Sequence, residues 1–295
     1  MPSPRRSSKG LALTADSGSP LMQGVPPRWF QPMKLALLHT SRFKTQALVV
    51  VCALAFWFLA TSVFHLVGPG RFPSPIDVWV AWQQANANDG YAGALLYQHV
   101  LQSCGIILCG FVLAVVTGVP LGLLMGGSKT FGALIGPVFA ILRPIPPLAW
   151  IPLSILWFGL GSEAKIFVIW LSAFVPSVIN SNAGIRNIDR TLIETARVHG
   201  ASRWFLTKAV IVPAALPMIM TGMRISLQVC WNALVAAELV GSYHGIGHLL
   251  NVATLDLYPG MILLAMIIVA VLGKTMTAIL AAVERRMFRW SEEAT

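Results

Sequence analysis

Charge is what this chain has least of. Only 11% of its 295 residues are Asp, Glu, Lys or Arg, against roughly 25% in an ordinary soluble domain. Acids are the scarcer sign, 11 against 21 Lys and Arg. With 56% hydrophobic residues and a mean hydropathy of +0.72, that scarcity excludes an ordinary soluble fold. The four cysteines (Cys52, Cys104, Cys109 and Cys230) lie in apolar runs and form no CxxC pair, which excludes a disulfide framework and leaves them as small hydrophobes. No HExxH is present, and His244 and His248 in "SYHGIGHLL" are read as an outer loop, since Gly245 and Gly247 oppose a regular metal-binding helix. No metal site is expected. Nor is a basic stripe interleaved with stacking aromatics, so the net charge of +10 does not indicate nucleic acid. Residues 1–45 are rich in Ser, Pro, Arg and Lys and lack a short apolar core followed by a cleavage site. They are expected to form a disordered cytoplasmic tail without a cleaved signal.

What the chain has in abundance is long apolar runs of the ~20 residues that cross a hydrocarbon core as a helix. The first is "QALVVVCALAFWFLATSVFHLV", residues 46–67. Others fall near 98–126, 131–158, 164–182, 214–240 and 259–282. The expected fold is therefore all-α and polytopic, a six-span domain over residues 46–284 with a short cytoplasmic tail, 285–295. The third run is interrupted by "RPIPPLAWIP", where Pro144, Pro146, Pro147 and Pro152 each remove an amide donor. Irregular backbone at membrane depth is tolerated where protein buries it or a water-filled cavity is present. A pathway or gate element and a simple packed kink both satisfy that rule. Gly118, Gly122 and Gly126, and Gly132 and Gly136, either let helices approach closely or mark flexible span ends.

Lys and Arg, counted by loop, run seven, one, one, one, five, none and three from the N-terminus to the C-terminus, with three more inside spans. The alternation fits both termini and the loop around Glu194 facing the cytoplasm.

That loop is longer than a connection needs. "DRTLIETARVH", Asp189 to His199, reads as a short amphipathic helix with Asp189 as its cap and Leu192, Ala196 and His199 at helical spacing. Gly200 breaks it through positive φ. "SRWFLTKAVIV" reads as a second short helix, ended or kinked by Pro213 and Pro217. Trp204 and Phe205 beside Arg203 and Lys208, without a catalytic cluster, suit a partner-docking protrusion or a helix lying on lipid headgroups.

The segment resembles the "EAA" motif of the membrane subunits of binding-protein-dependent ABC importers. Glu194-Thr195-Ala196, Gly200 and Val210-Ile211-Val212-Pro213 occupy its places, with Thr195 the one departure in the leading triplet. "FPSPIDVW", "GVPLGLLMG", "RPIPPLAWIPLSILWFGLGSEAK", "GIRNIDRTLIETARVHGAS" and "TGMRISLQVCWNALVAAELV" occur in order and are similar to the nitrate, sulfonate and taurine branch of these permeases. The resemblance implies a permease that is not itself an enzyme, in which loop 189–213 couples to a separate ATPase. Glu194, Ala196, Gly200 and Ala201 are then the contacts, flanked by Arg197 and Arg203. It further implies two ATPase copies carrying ATP and Mg, a second permease copy, a soluble binding protein on the outer face, and no cofactor on this chain.

"GLLMGGSKT", Gly122 to Thr130, approaches a phosphate-binding loop, but Ser128 breaks the spacing and no strand is expected before it. Arg143, Arg224 and Lys274 fall inside expected spans, which is costly unless they face a cavity, a partner or the interface. With Pro146, Pro147 and Glu238 they are candidates for a translocation pathway suited to an anion; snorkelling, or pairing with Glu238, is the other reading. The anion reading meets one departure, Ile106 in "SCGIILCGF", where the family often carries Arg. An ion-gradient transporter would need paired acidic sites at mid-membrane, and the spans offer Glu238 as their one acid.

Overall fold

The computed structural model describes residues 45, 47–64, 72–87 and 89–287. Its chain divides into two units, one ending at Ala55 and one starting at Phe56. Among the described residues the regular elements are all helical. They are α1, Ala47–Val63, α2, Pro75–Ala85, and α3, Leu96–Gly127. After these come α4, Lys129–Leu142, a 3-10 turn, Pro147–Trp150, α5, Ile151–Phe158, and α6, Ser162–Arg186. The rest are α7, Arg190–Val198, α8, Arg203–Val240, α9, Ile246–Leu255, and α10, Pro259–Met287.

Four of them, α3, α6, α8 and α10, are long and apolar enough to cross a membrane, and there are five spans if α4 and Pro147–Phe158 form one span bent by 82°. The interruption expected from the prolines is therefore a sharp bend. The first expected span, 46–67, lies only partly within the described residues, where α1 is a shorter apolar helix. The expected tails fall outside the description except that α10 continues to Met287, past the expected end at 284. The "GLLMGGSKT" stretch is a helix-to-helix turn: α3 ends at Gly127, and Ser128 caps α4 by accepting from the Phe131 amide at 3.3 Å.

Between apolar helices in lipid there is little hydrophobic drive, so association rests on close packing and interhelical hydrogen bonds. The chain supplies both along α6. On one side α3 presents Gly110, Ala114, Gly118, Gly122 and Gly126, one every four residues and hence on one face. A Cβ at Gly118 would lie 2.9 Å from Ser177 Cβ, at Gly122 2.5 Å from Val178 O, and at Gly126 2.9 Å from Asn182 O. Close approach is thus the meaning of this row. Gly132 is equally tight against Met125 O at 2.7 Å, whereas nothing lies within 4 Å of a Cβ at Gly136.

On its other side α6 meets α8. Ser226 donates to Ala173 O at 2.7 Å, so the Ser177 hydroxyl donates to Ser226 at 2.9 Å, both inside the core. Gly222 admits Asn180, whose Cβ would be 2.6 Å from a Cβ there. Outside this slab, α2 starts with a reciprocal cap between Ser74 and Asp77 and packs on α10, burying Ala81 and Ala85.

Gly122→Val should overpack the α3–α6 seam and cost about 1–3 kcal/mol, lowering the thermal unfolding midpoint in detergent. Gly136→Ala, with open space at its Cβ, should leave the midpoint unchanged in the same scan.

Candidate functional site: a docking protrusion, a buried polar cap and two clefts

The segment between α6 and α8 holds the short helix and the glycine turn expected there. Asp189 caps α7, its Oδ1 accepting from the Thr191 amide at 2.9 Å and the Thr191 hydroxyl at 2.6 Å. These two bonds from Thr191, side chain first, hold the Asp189 carboxyl below the usual carboxylate range. Its capping contribution is therefore present above the ordinary Asp range and is lost as pH falls through the depressed value. At the other end, the Gly200 amide bonds to Arg197 O at 2.9 Å and the Ala201 amide to Ala196 O at 3.1 Å, with Gly200 at φ +80. This is a Schellman ending, which requires a residue that tolerates the left-handed region. Nothing lies within 4 Å of a Cβ at Gly200, so within this chain the demand for glycine is conformational and not steric.

α7 meets the first turns of α8, where Leu206 is buried, but several apolar side chains stay uncovered. Leu192 is exposed and Ala196 only half-buried. Val198 is 85% exposed, Trp204 74% and Phe205 58%. Lys208 Nζ sits 5.9 Å from the Trp204 ring centroid. Glu194, Arg197 and Arg203 are exposed on the same protrusion.

The second short helix departs from expectation. Arg203 to Val240 is one helix, because Leu206–Ile211 is π-helical. The wider turn removes the need for the amide that Pro213 lacks and relieves its clash with the preceding turn. Pro213 is thus absorbed, Pro217 lies within the α-helical part that follows, and the segment is continuous with a helix long and apolar enough to cross a membrane.

The candidate pathway residues separate into three places. Arg143 and Pro147 line a cleft of about 160 Å³ against α6, with Trp150, Ser172 and Pro176. Pro146 is exposed beside it. Arg224 and Lys274 line a larger cleft, about 580 Å³, between α8 and α10, where Arg224 is paired with Glu284.

Glu238 belongs to neither cleft. It is 0% exposed and caps the start of α9. Its Oε2 accepts from the Gly247 amide at 2.8 Å, and both carboxyl oxygens lie within reach of the Ser103 hydroxyl, at 2.8 and 3.0 Å. Ser103 Oγ in turn accepts from the Ile246 amide at 2.9 Å. The Gly245 amide donates to His99 Nδ1 at 3.0 Å, which leaves Nε2 as the nitrogen that donates to Tyr91 O at 3.0 Å. A Cβ at Gly245 would lie 2.2 Å from Glu238 Oε1, and one at Gly247 2.6 Å from Glu238 Cβ. An anionic side chain at a helix N-terminus is favourably placed, and here it ties α9 to α3 and α8.

Several residues of this arrangement were not singled out in the sequence. His99 and Ser103, four apart in the first turns of α3, share a face, and that pair was the available signal. Lys165, counted with a loop, lies in the first turn of α6, is 6% exposed and donates to Ser242 at 2.8 Å. His244 and His248 gather around His99, ring centroids 6.1 and 6.4 Å away, and among the described residues no group of three or more His, Cys, Asp or Glu could hold a metal ion.

Residues 118–289 match the family model described as the binding-protein-dependent transport system inner membrane component. The chain belongs to this family. It is an ABC importer permease of the nitrate, sulfonate and taurine type, a transport subunit and not an enzyme. It is 34% identical over 245 residues to the taurine transport system permease protein TauC of Escherichia coli K12, covering 83% of this chain and 88% of that one. It is 39% identical over 237 residues to the putative aliphatic sulfonates transport permease protein SsuC of the same strain, covering 80% and 88%. Among solved structures, the MetNI methionine ABC transporter in inward-facing conformations superposes with a TM-score of 0.53 at 20% identity, over 66% of this chain and 94% of that one. That likeness extends the family assignment to the fold.

The buried cap generates a test. Glu238→Ala should leave the Ser103 hydroxyl and the Gly247 amide without their acceptor, at a cost of about 1–3 kcal/mol for each buried group. Hydrogen exchange should then speed up selectively in α9, while the α7 amides keep wild-type rates.

Proposed function

We propose that this permease moves a small anion, sulfonate-like in its head group, by alternating access, and that the protrusion at 189–213 is where its ATPase acts. The observation that carries the reading is the uncovered apolar surface of Val198, Trp204 and Phe205, held by an Asp189-capped helix and a Schellman turn and continuous with α8. Exposed aromatic and aliphatic side chains beside Arg197, Arg203 and Lys208 suit a protein cleft, with Glu194, Ala196, Gly200 and Ala201 at the contact. Two ATPase copies, each binding ATP and Mg, serve two permease copies, and a soluble binding protein delivers the substrate on the outer face. The excess of Lys and Arg at the termini and around Glu194 supports a cytoplasmic location for all three. The relatives named for taurine and aliphatic sulfonates support the substrate class. ATP-driven closure of the partner shifts the permease between two states by contacting them differently.

In a mild-detergent pull-down from native membranes, the wild-type chain should bring down an ATPase, and Gly200→Asp should lose it together with energised uptake while remaining inserted. Gly200→Asn, which tolerates positive φ, should retain more of both than Gly200→Val. Equal recovery of the ATPase with wild type and Gly200→Asp would refute the docking assignment.

A further inference from the structure

The larger cleft has features that a gap between two greasy helices does not need. Gln228, Trp231 and Asn232 reach it from α8, and Gly273 and Lys274 from α10. Arg224 at its edge already has Glu284 as a partner, so that pair adds no net charge. Lys274, about halfway along α10, has no acid or acceptor partner among the described residues, although a cation at this depth is costly unless it faces a cavity or a counter-charge. The cleft therefore carries one uncompensated positive charge.

The second feature is a hydrogen-bond donor without an acceptor. Trp231 is 5% exposed, and its Nε1 is buried without a partner. An indole N–H donates and cannot accept, and a buried donor left unpaired is expensive and rare. The residue that faces it is Gly273, whose absent Cβ would lie 3.6 Å from Nε1 and 3.5 Å from Cδ1. With glycine at 273 no side chain of that residue stands over this edge of the ring, on the cleft that Trp231 and Gly273 both line. The Thr277 hydroxyl donates to Gly273 O at 2.8 Å, and no acceptor among the described residues lies within hydrogen-bond reach of the indole nitrogen.

We propose that this cleft binds the oxyanion head of the transported solute, a sulfonate or carboxylate of single negative charge, with Trp231 Nε1 donating a hydrogen bond and Lys274 supplying the counter-charge. The inference rests on the permease reading above and specifies where within the chain the anion is held. Gln228 and Asn232 offer amide donors at the rim. A neutral solute would leave Lys274 uncompensated, and a cation would meet like charge, so the site selects by sign before it selects by shape. Because its two principal groups stand on different helices, the bound anion bridges α8 and α10 and favours the arrangement that keeps them close.

The test uses the full-length chain, labelled with 5-fluorotryptophan, in phosphatidylcholine nanodiscs, with the Trp231 fluorine resonance assigned through Trp231→Phe. Titration with ethanesulfonate should shift that resonance saturably, and neutral ethanesulfonamide should not. Gly273→Ala, which covers the indole edge at ordinary contact distance, should weaken the apparent affinity about tenfold, the size of one charge-assisted hydrogen bond. Lys274→Gln should do the same, while Lys274→Arg should hold within about threefold of wild type. No saturable shift, or equal affinities for wild type, Gly273→Ala and Lys274→Gln, overturns the proposal. A shift produced by phosphatidylglycerol in the disc, with no further response to ethanesulfonate, assigns the cleft to a lipid headgroup and equally overturns it. None of these readouts depends on ATPase recovery, so failure here and failure of the docking assignment are separately visible.

Discussion

The close approach of α3 and α8 to α6 is the constraint on which the other features depend. In hydrocarbon the backbone must satisfy its own hydrogen bonds, and apolar helices gain little merely by touching, so the frame is held where glycines remove side chains and serines bridge helices. The Gly110 to Gly126 row on α3 and the Ser177–Ser226–Ala173 relay between α6 and α8 do this on adjoining faces of one helix, with Ser177 taking part in both. Everything functional is mounted on that slab: α7 springs from the end of α6, and α8 follows it directly.

A single helix, α8, then carries three roles along its length. Its first turns hold Trp204 and Phe205 in the protrusion, its middle holds Arg224 and Trp231 at the cleft, and its last turn holds Glu238 at the cap of α9. The π-helical Leu206–Ile211 lies between the first role and the others. A wide turn ahead of a proline is a point where a helix changes direction without breaking. In the proposed coupling, force applied at the protrusion would reach the cleft through continuous backbone, whereas α9 is tethered at the opposite end by a hydrogen-bonded network buried against α3.

Glu238 shows how depth and chemistry can be confused. An acid in an apolar run suggests a pathway, because ionisable groups within membranes face cavities or partners. Its partners here are backbone amides and a hydroxyl, supplied by a loop that looked like a plain connection. The stretch around Gly245 and Gly247 was read as an outer loop, yet α9 begins at Ile246 and takes in Gly247 and His248, and the two glycines make the space that Glu238 occupies. Lys165 was misplaced for a related cause: a few residues of uncertainty at the start of α6 separate a loop lysine from a buried one.

Local rules were enough for much of the molecule. The scarcity of charge and the length of the apolar runs determined an all-helical membrane chain, since no other use of such runs satisfies the backbone. Asp189 and Gly200 determined the two ends of α7, because a cap and a left-handed turn are properties of a few adjacent residues. Four motifs beyond that loop, in order, determined the family. Only the tertiary structure decided that Pro213 is absorbed by a π turn, that Glu238 caps α9, and that Arg143 stands apart from Arg224 and Lys274. Each of these depends on which faces of distant helices meet. That is set by packing between segments far apart in the chain, and periodicity within any one segment does not specify it.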